Sequence, residues 1–145
     1  MASDTDYQQD FHAWSLENAR LLRAGRFAEI DAANIAEELE SMGRSEREEL
    51  INRLTVLLGH LLKWRFEPQL RGKSWRATIK EQRRRIERRL AKSPSLKHGI
   101  DDSFEEAYDY AILLVVRETP LEEKDLPADC PFTLNQALDE DFWPN

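Results

Sequence analysis

The sequence predicts an all-α protein: a single helical bundle of about five main helices with a C-terminal arm packed across it. Apolar residues recur every three or four positions along most of the chain, and no segment shows the alternating pattern of a half-buried strand. A chain of 145 residues can bury roughly two-thirds of the surface that it exposes when unfolded, so residues 1–145 are expected to form one domain. The polar residues 1–5 are expected to be frayed.

Helical spacing predicts a first helix over about Tyr7–Ala24, ended by Gly25. Asp31 is expected to cap a second helix, and Gly43 is expected to end it. The inner face of this second helix is formed by Ile35, Ala36, Leu39 and Met42.

Ser45 and Glu48 have the spacing of a capping box, which predicts the start of a third helix. This helix should end just before Pro68, and its wide apolar face makes it the central core element. Ser74 is the expected N-cap of a fourth helix at about Trp75–Lys92. The apolar face of the third helix comprises Leu50, Ile51, Leu54, Leu57, Leu58, Leu61 and Leu62.

Ser93 and Pro94 predict a short helical turn, and a fifth helix follows from about Ser103 to Pro120. Residues 121–145 contain prolines and acids but also large apolar side chains, so they are expected to form an arm that packs on the bundle. Those side chains are Phe132, Leu134, Leu138, Phe142 and Trp143.

Charge is strongly segregated within a net charge of −7. Residues 71–92 carry ten Lys/Arg and two Asp/Glu, whereas residues 1–50 have a net charge of −7 and residues 93–145 one of −10. A basic helix between two acidic arms suits docking against an acidic helix, which could belong to this chain, to a second copy or to another protein. The candidate basic binding face comprises Arg76, Lys80, Arg83, Arg84 and Arg88.

The same helix supports an alternative, a nucleic-acid-associated protein, because clustered cations neutralise phosphates and Trp64 and Trp75 could stack on bases. The arginines are expected to point in several directions, so no single basic stripe is defined. The acidic arms could also pair with the helix or repel nucleic acid.

A second group of candidates is polar. His60, Lys63 and Trp64 lie within about one helical turn, and an antiparallel second helix would bring Glu37 or Glu38 close to His60. Carboxylate and imidazole could hold a metal ion or form a general base. The Glu-x-x-His spacing of dicarboxylate metal bundles is missing, so a structural network is favoured, and no catalytic residue, metal ligand or cofactor is assigned. The full candidate cluster is Glu37, Glu38, Arg44, His60, Lys63, Trp64, Ser74 and Trp75.

Other classes are disfavoured by composition and motifs. Ser74 is explained by capping, Cys130 precedes a proline, and no nucleophile elbow or phosphate-binding glycine loop is present. The longest apolar run, Ala111–Val116, is far shorter than the ~20 residues that a membrane span needs. With one cysteine and no secretory pattern at its start, the chain is expected to be cytoplasmic.

Four blocks of the sequence resemble the bacterial DUF29 family, a domain of unknown function. The resemblance implies a helical bundle in a bacterial, cytoplasmic protein and supplies no activity. The blocks are YQQDFHAWSLENARLLRAGRF at 7–27, NIAEELESMGRSE at 34–46, HLLKWRFEPQLRGKSWRATIKEQRRRI at 60–86 and CPFTLNQALDEDFWP at 130–144. The polar and aromatic residues within them that look family-like are Glu37, Glu38, Arg44, His60, Lys63, Trp64, Ser74, Trp75, Arg76 and Arg83.

These observations favour a non-enzymatic module for protein interaction, including self-association, or for regulation. Nucleic-acid association through residues 71–92 is the alternative. A metal-dependent enzyme using Glu37, Glu38 and His60 is the least favoured of the three.

Overall fold

The structure, a computed structural model, describes the backbone of residues 4–145 and the side chains from Asp6 onward, and within these residues it contains helices, turns and loops but no strand. The predicted fold class is confirmed. Residues 1–5 were predicted to be frayed. Of these, residues 1–3 lie outside the described residues, and helix α1 begins at Asp4. The helices are α1 (Asp4–Gln9), α2 (Phe11–Arg23), α3 (Ala32–Phe66), α4 (Lys73–Lys92), α5 (Ile100–Glu118) and α6 (Leu134–Leu138), with short 3-10 turns at Phe27–Glu29, Pro68–Leu70, Pro94–Lys97 and Glu123–Asp125.

The predicted second and third helices are one continuous helix, α3. Gly43 does not end a helix and Ser45 does not begin one, because both lie in its interior. A glycine inside a helix costs only about 1 kcal/mol relative to alanine, and the neighbouring Met42 and Arg44 are good helix formers. Propagation therefore prevails over these local stop and start signals.

The first predicted helix is instead divided at Asp10, whose side chain accepts a hydrogen bond from the Ala13 N–H at 3.0 Å and caps α2. Gly25 follows the C-cap of α2 with a φ of +72°, as expected of a glycine at that position.

Two other predicted helix starts are also displaced. Helix α4 begins at Lys73 after Gly72, so Ser74 lies in the first turn and is not the N-cap. Helix α5 begins at Ile100 after Gly99, and Ser103 hydrogen-bonds to the Gly99 carbonyl from within the first turn at 3.2 Å.

The chain divides into two compact units, the first ending at Ser45 and the second comprising Glu46–Asn145. The single folding domain proposed for 1–145 stays a prediction. In the first unit, Trp14 donates to Asp31 at 2.8 Å and the Asp31 N–H donates to the Asn18 side chain at 2.8 Å. Hydrogen bonds from Asn34 and Trp14 lower the pKa of Asp31, so this polar contact holds the first unit together in its ionised form.

The second unit has an extensive core formed by the leucine face of α3 with α4, α5 and the arm. Gly59 lies where α3 packs closely on α5, because a Cβ there would lie 2.8 Å from Leu114 Cδ2 and the leucine side chain would have to shift. The arm packs on this core as predicted, with Leu126, Phe132 and Ala137 buried.

Candidate interaction surfaces

Lys63 is a buried cation near the end of α3, only 2% exposed. Its ammonium group donates to Glu118 at 2.8 Å and lies 5.5 Å from the centroid of the Trp75 ring. The hydrogen bond from Lys63 lowers the pKa of Glu118. This ion pair therefore fastens α5 to α3.

His60 is likewise engaged locally, since its Nδ1 lies 2.8 Å from the Val56 carbonyl oxygen one turn earlier. Burial is the main cause that lowers its pKa, which favours the neutral ring. The antiparallel arrangement expected to bring Glu37 or Glu38 to His60 does not exist, because all three residues lie on one continuous helix. Among the described residues, no group of three His, Cys, Asp or Glu side chains could hold a metal ion.

Arg83 was expected on the basic binding face, but it lies in the core with 2% of its surface exposed. Its guanidinium donates to the Ala137 carbonyl at 2.8 Å and to the Phe142 carbonyl at 2.7 Å. It also lies 5.4 Å from the centroid of the Trp143 ring, and burial lowers its pKa. Arg83 therefore anchors the C-terminal arm to α4.

Arg71 and Trp64 extend this attachment. Arg71 donates to the Trp64 carbonyl at 2.6 Å and to the Pro144 carbonyl at 3.2 Å, while the Trp64 and Trp143 ring centroids lie 4.9 Å apart. Arg76, a residue of the predicted basic binding face, also packs on this ring: its guanidinium carbon lies 5.3 Å from the centroid of Trp64. Trp64 is thus buried by packing and is not available to stack on a base.

Lys80, Arg84 and Arg88 lie at four-residue intervals on the exposed side of α4 and line one shallow pocket. We call these three residues the α4 stripe. The other arginines of this helix point in different directions, since Arg83 is buried and Arg89 pairs with Glu46.

Arg84 is 4.0 Å from Glu140 of the arm, whereas Lys80 and Arg88 form no ion pair with any residue that the structure describes. The acidic residues Glu140 and Asp141 of the arm lie beside Lys80 and Arg84, and Arg84 remains 73% exposed.

The N-terminal part of α3 exposes an apolar strip that the sequence pattern had assigned to packing. Ala32, Ala36, Leu39, Met42 and Gly43 are all exposed, and we call this set the α3 seam. Leu39 is 62% exposed and Met42 64% exposed, and no atom lies within 4 Å of the position of a Cβ on Gly43.

The charged candidates of the first unit border the α3 seam. Arg44 and Glu37 are joined at 3.3 Å, and both side chains are 58% exposed. Glu38 faces the other way and accepts a hydrogen bond from the Tyr7 hydroxyl. Helical geometry places Glu37, Glu40 and Arg44 along one flank of the seam.

A family model described as "Domain of unknown function DUF29" matches residues 7–143, nearly the whole chain. The chain belongs to the DUF29 family. Comparison with curated proteins and with solved structures gave no match. No helix in the described part of this DUF29 chain is long and apolar enough to cross a membrane.

The sequence of this DUF29 protein identified the apolar residues of the seam but not their exposure. A period of three to four residues shows that a face is apolar without showing what covers it. The sequence also did not show that Arg83 is buried and Arg84 exposed, because the burial of one arginine in a run depends on where the arm lies. The only indication in the sequence that the arm could bury a residue of α4 was the set of apolar residues in the arm.

Proposed function

We propose that this DUF29 protein is an interaction module that performs no catalysis, and that the α3 seam binds a second copy of the chain. The observation that carries the proposal is the exposure of Leu39 and Met42, at 62% and 64%, on one apolar strip of a continuous helix. A location in the bacterial cytoplasm belongs to the proposal and would be tested by cell fractionation.

Single exposed leucines are normal, but an apolar stripe at helical spacing is the pattern by which helices pack on a partner. Burying such a stripe releases roughly 25 cal/mol per Å² of apolar surface. The first unit also exposes Phe11, Leu16, Leu22 and Phe27, so the seam lies in a region rich in uncovered apolar surface.

The charges that border the seam favour an antiparallel second copy as the partner. In an antiparallel pair of identical helices, the same flank of each helix faces its counterpart in reverse order. Arg44 of one copy would then lie beside Glu37 or Glu40 of the other, as flanking charges do in helical pairs.

Gly43 gives this pairing its second support. The glycine leaves open space beside the helix axis at a cost of about 1 kcal/mol in helix propensity. In an antiparallel pair centred near residue 41, Leu39 of one copy would fill the space beside Gly43 of the other.

Sedimentation of the protein at increasing concentrations tests the proposal. We expect wild type to associate into dimers and a Leu39→Lys, Met42→Lys variant to stay monomeric at every concentration. Leu16→Lys is the matched control, because Leu16 is 60% exposed in the same unit but lies outside the seam. A monomeric wild type, or equal loss of dimer in Leu16→Lys, would refute the seam as the interface.

Gly43→Ala adds a test that does not depend on introducing charge. The substitution should stabilise the monomer by about 1 kcal/mol through helix propensity while weakening the dimer by filling the open space. An alanine variant that dimerises more tightly than wild type would contradict close packing at this position.

Nucleic-acid binding is the second candidate, and the alignment of Lys80, Arg84 and Arg88 favours it. Binding of random DNA should be retained at low salt and fall steeply by moderate salt, since phosphate contacts release counterions. Charge reversal with Arg84→Glu and Arg88→Glu should abolish it. Absence of DNA binding at low salt would dispose of this candidate.

A further inference from the structure

An open pocket of about 240 Å³ lies on the second unit between α3 and α4. Five of its seven lining residues are cationic and one is acidic. The lining comprises Glu46, Arg53, Arg85, Arg88, Arg89, Lys92 and Ser93.

Two of the pocket's guanidinium groups are held in place by carboxylates. Arg89 lies 2.7 Å from Glu46 and 4.0 Å from Glu49, and Arg53 lies 2.9 Å from the same Glu49. Both arginine side chains are about three-quarters buried, with 24% and 22% of their surface exposed. Fixed guanidinium groups lose little conformational freedom when they bind an anion.

The positive charge of the pocket is only partly neutralised by these carboxylates. Arg88 and Lys92 form no ion pair with any described residue, and Arg85 pairs with Glu81 at 3.1 Å outside the pocket lining. The Nε of Arg89 is buried and has no acceptor among the described residues.

The helix dipole explains part of this arrangement. Arg89 and Lys92 lie in the last turn of α4, where cations offset the negative end of the helix. Arg53 belongs to α3, and Arg85 lies about one turn before Arg89, so the dipole does not account for the convergence of these two arginines on the pocket.

We propose that this pocket binds a compact anion with two or three linked phosphate groups. The five cationic side chains of the lining present more N–H donors than the oxygens of one phosphate group can accept, and a short chain of linked phosphates offers more oxygens. Guanidinium groups bind phosphate oxygens through paired N–H donors. The pocket volume of about 240 Å³ fits a short phosphate chain better than a strand of nucleic acid. The proposal is independent of the α3 seam.

Calorimetric titration of the full chain with inorganic tripolyphosphate at about 0.15 M salt tests this site. Arg88→Gln with Lys92→Gln removes the two unpaired cations of the pocket, and affinity should fall at least about tenfold. The matched control is Lys80→Gln with Arg84→Gln, which removes two exposed cations of the same helix outside this pocket and should change affinity by less than about twofold. Absence of wild-type binding, or equal losses in the two variants, would overturn the proposal.

Glu46→Gln gives a prediction of opposite sign. It removes the negative charge of the one acidic residue of the lining while Glu49 remains beside Arg89, so tripolyphosphate should bind about threefold or more tightly. Weaker binding in this variant, with the fold retained by circular dichroism, would contradict an anion site.

Two further titrants define the ligand. Equal affinities for ATP and tripolyphosphate would identify the phosphate chain as the recognised group, and tighter ATP binding would add a contact to the nucleoside. Single-stranded DNA that binds more tightly than tripolyphosphate and loses affinity equally in both double variants would assign these cations to a nucleic-acid surface and overturn the pocket.

Discussion

The two units of this protein use apolar residues in opposite ways. The second unit buries twenty apolar residues and exposes three large ones, whereas the described residues of the first unit bury two and expose six. The second unit thus has an extensive core, with cations on its surface. The first unit has apolar surface that its own helices do not cover, and we attribute this difference to a binding role.

Truncating one leucine in each unit tests this comparison and has the largest expected effect on stability. Leu58→Ala removes a fully buried side chain and should lower the free energy of unfolding by about 2–5 kcal/mol. Leu39→Ala should change it by less than about 0.5 kcal/mol in the monomer. Urea unfolding at low protein concentration measures both, and similar losses would mean that Leu39 packs within its own chain.

Two neighbouring arginines provide the next test within the second unit. Arg83→Met removes both hydrogen bonds to the arm and leaves the buried carbonyl of Ala137 and the half-buried carbonyl of Phe142 without this donor, which should cost about 3 kcal/mol. Arg84→Met removes an exposed side chain and should cost less than about 0.5 kcal/mol.

Hydrogen exchange locates the effect of Arg83→Met. The amides of α6 should exchange faster in this variant than in Arg84→Met, because the arm loses its anchor. Unchanged α6 exchange would show that the arm is held by its apolar side chains alone.

A smaller effect concerns pH. Burial lowers the pKa of His60, so the unfolded chain binds a proton that the folded chain resists. The contribution of the neutral His60 ring to the free energy of unfolding is therefore fully present above the unfolded pKa of about 6.5 and is lost as pH falls below it. Between pH 7 and 5, the free energy of unfolding measured in urea should fall less with decreasing pH in His60→Gln than in wild type. An unchanged slope in His60→Gln would contradict the burial of a neutral ring at position 60.

The helical class, the leucine face of α3 and the packing of the arm could all be predicted, because each depends on a local apolar pattern. The continuity of α3 could not, since the stop signal at Gly43 competes with helix propagation and the outcome depends on small differences in propensity. The different roles of Arg83 and Arg84 could not be predicted either. They depend on the arm, which contacts Arg83 and is distant from it in sequence.

The central claim is that the first unit binds a second copy through an antiparallel α3 seam, and a charge exchange tests it most directly. Sedimentation equilibrium would compare dimer affinity in Arg44→Glu with that in the double variant Arg44→Glu, Glu37→Arg. The single variant should bind more weakly than wild type through repulsion between the facing carboxylates, and the double variant should recover most of the loss. A double variant that dimerises no better than the single one would contradict the antiparallel seam.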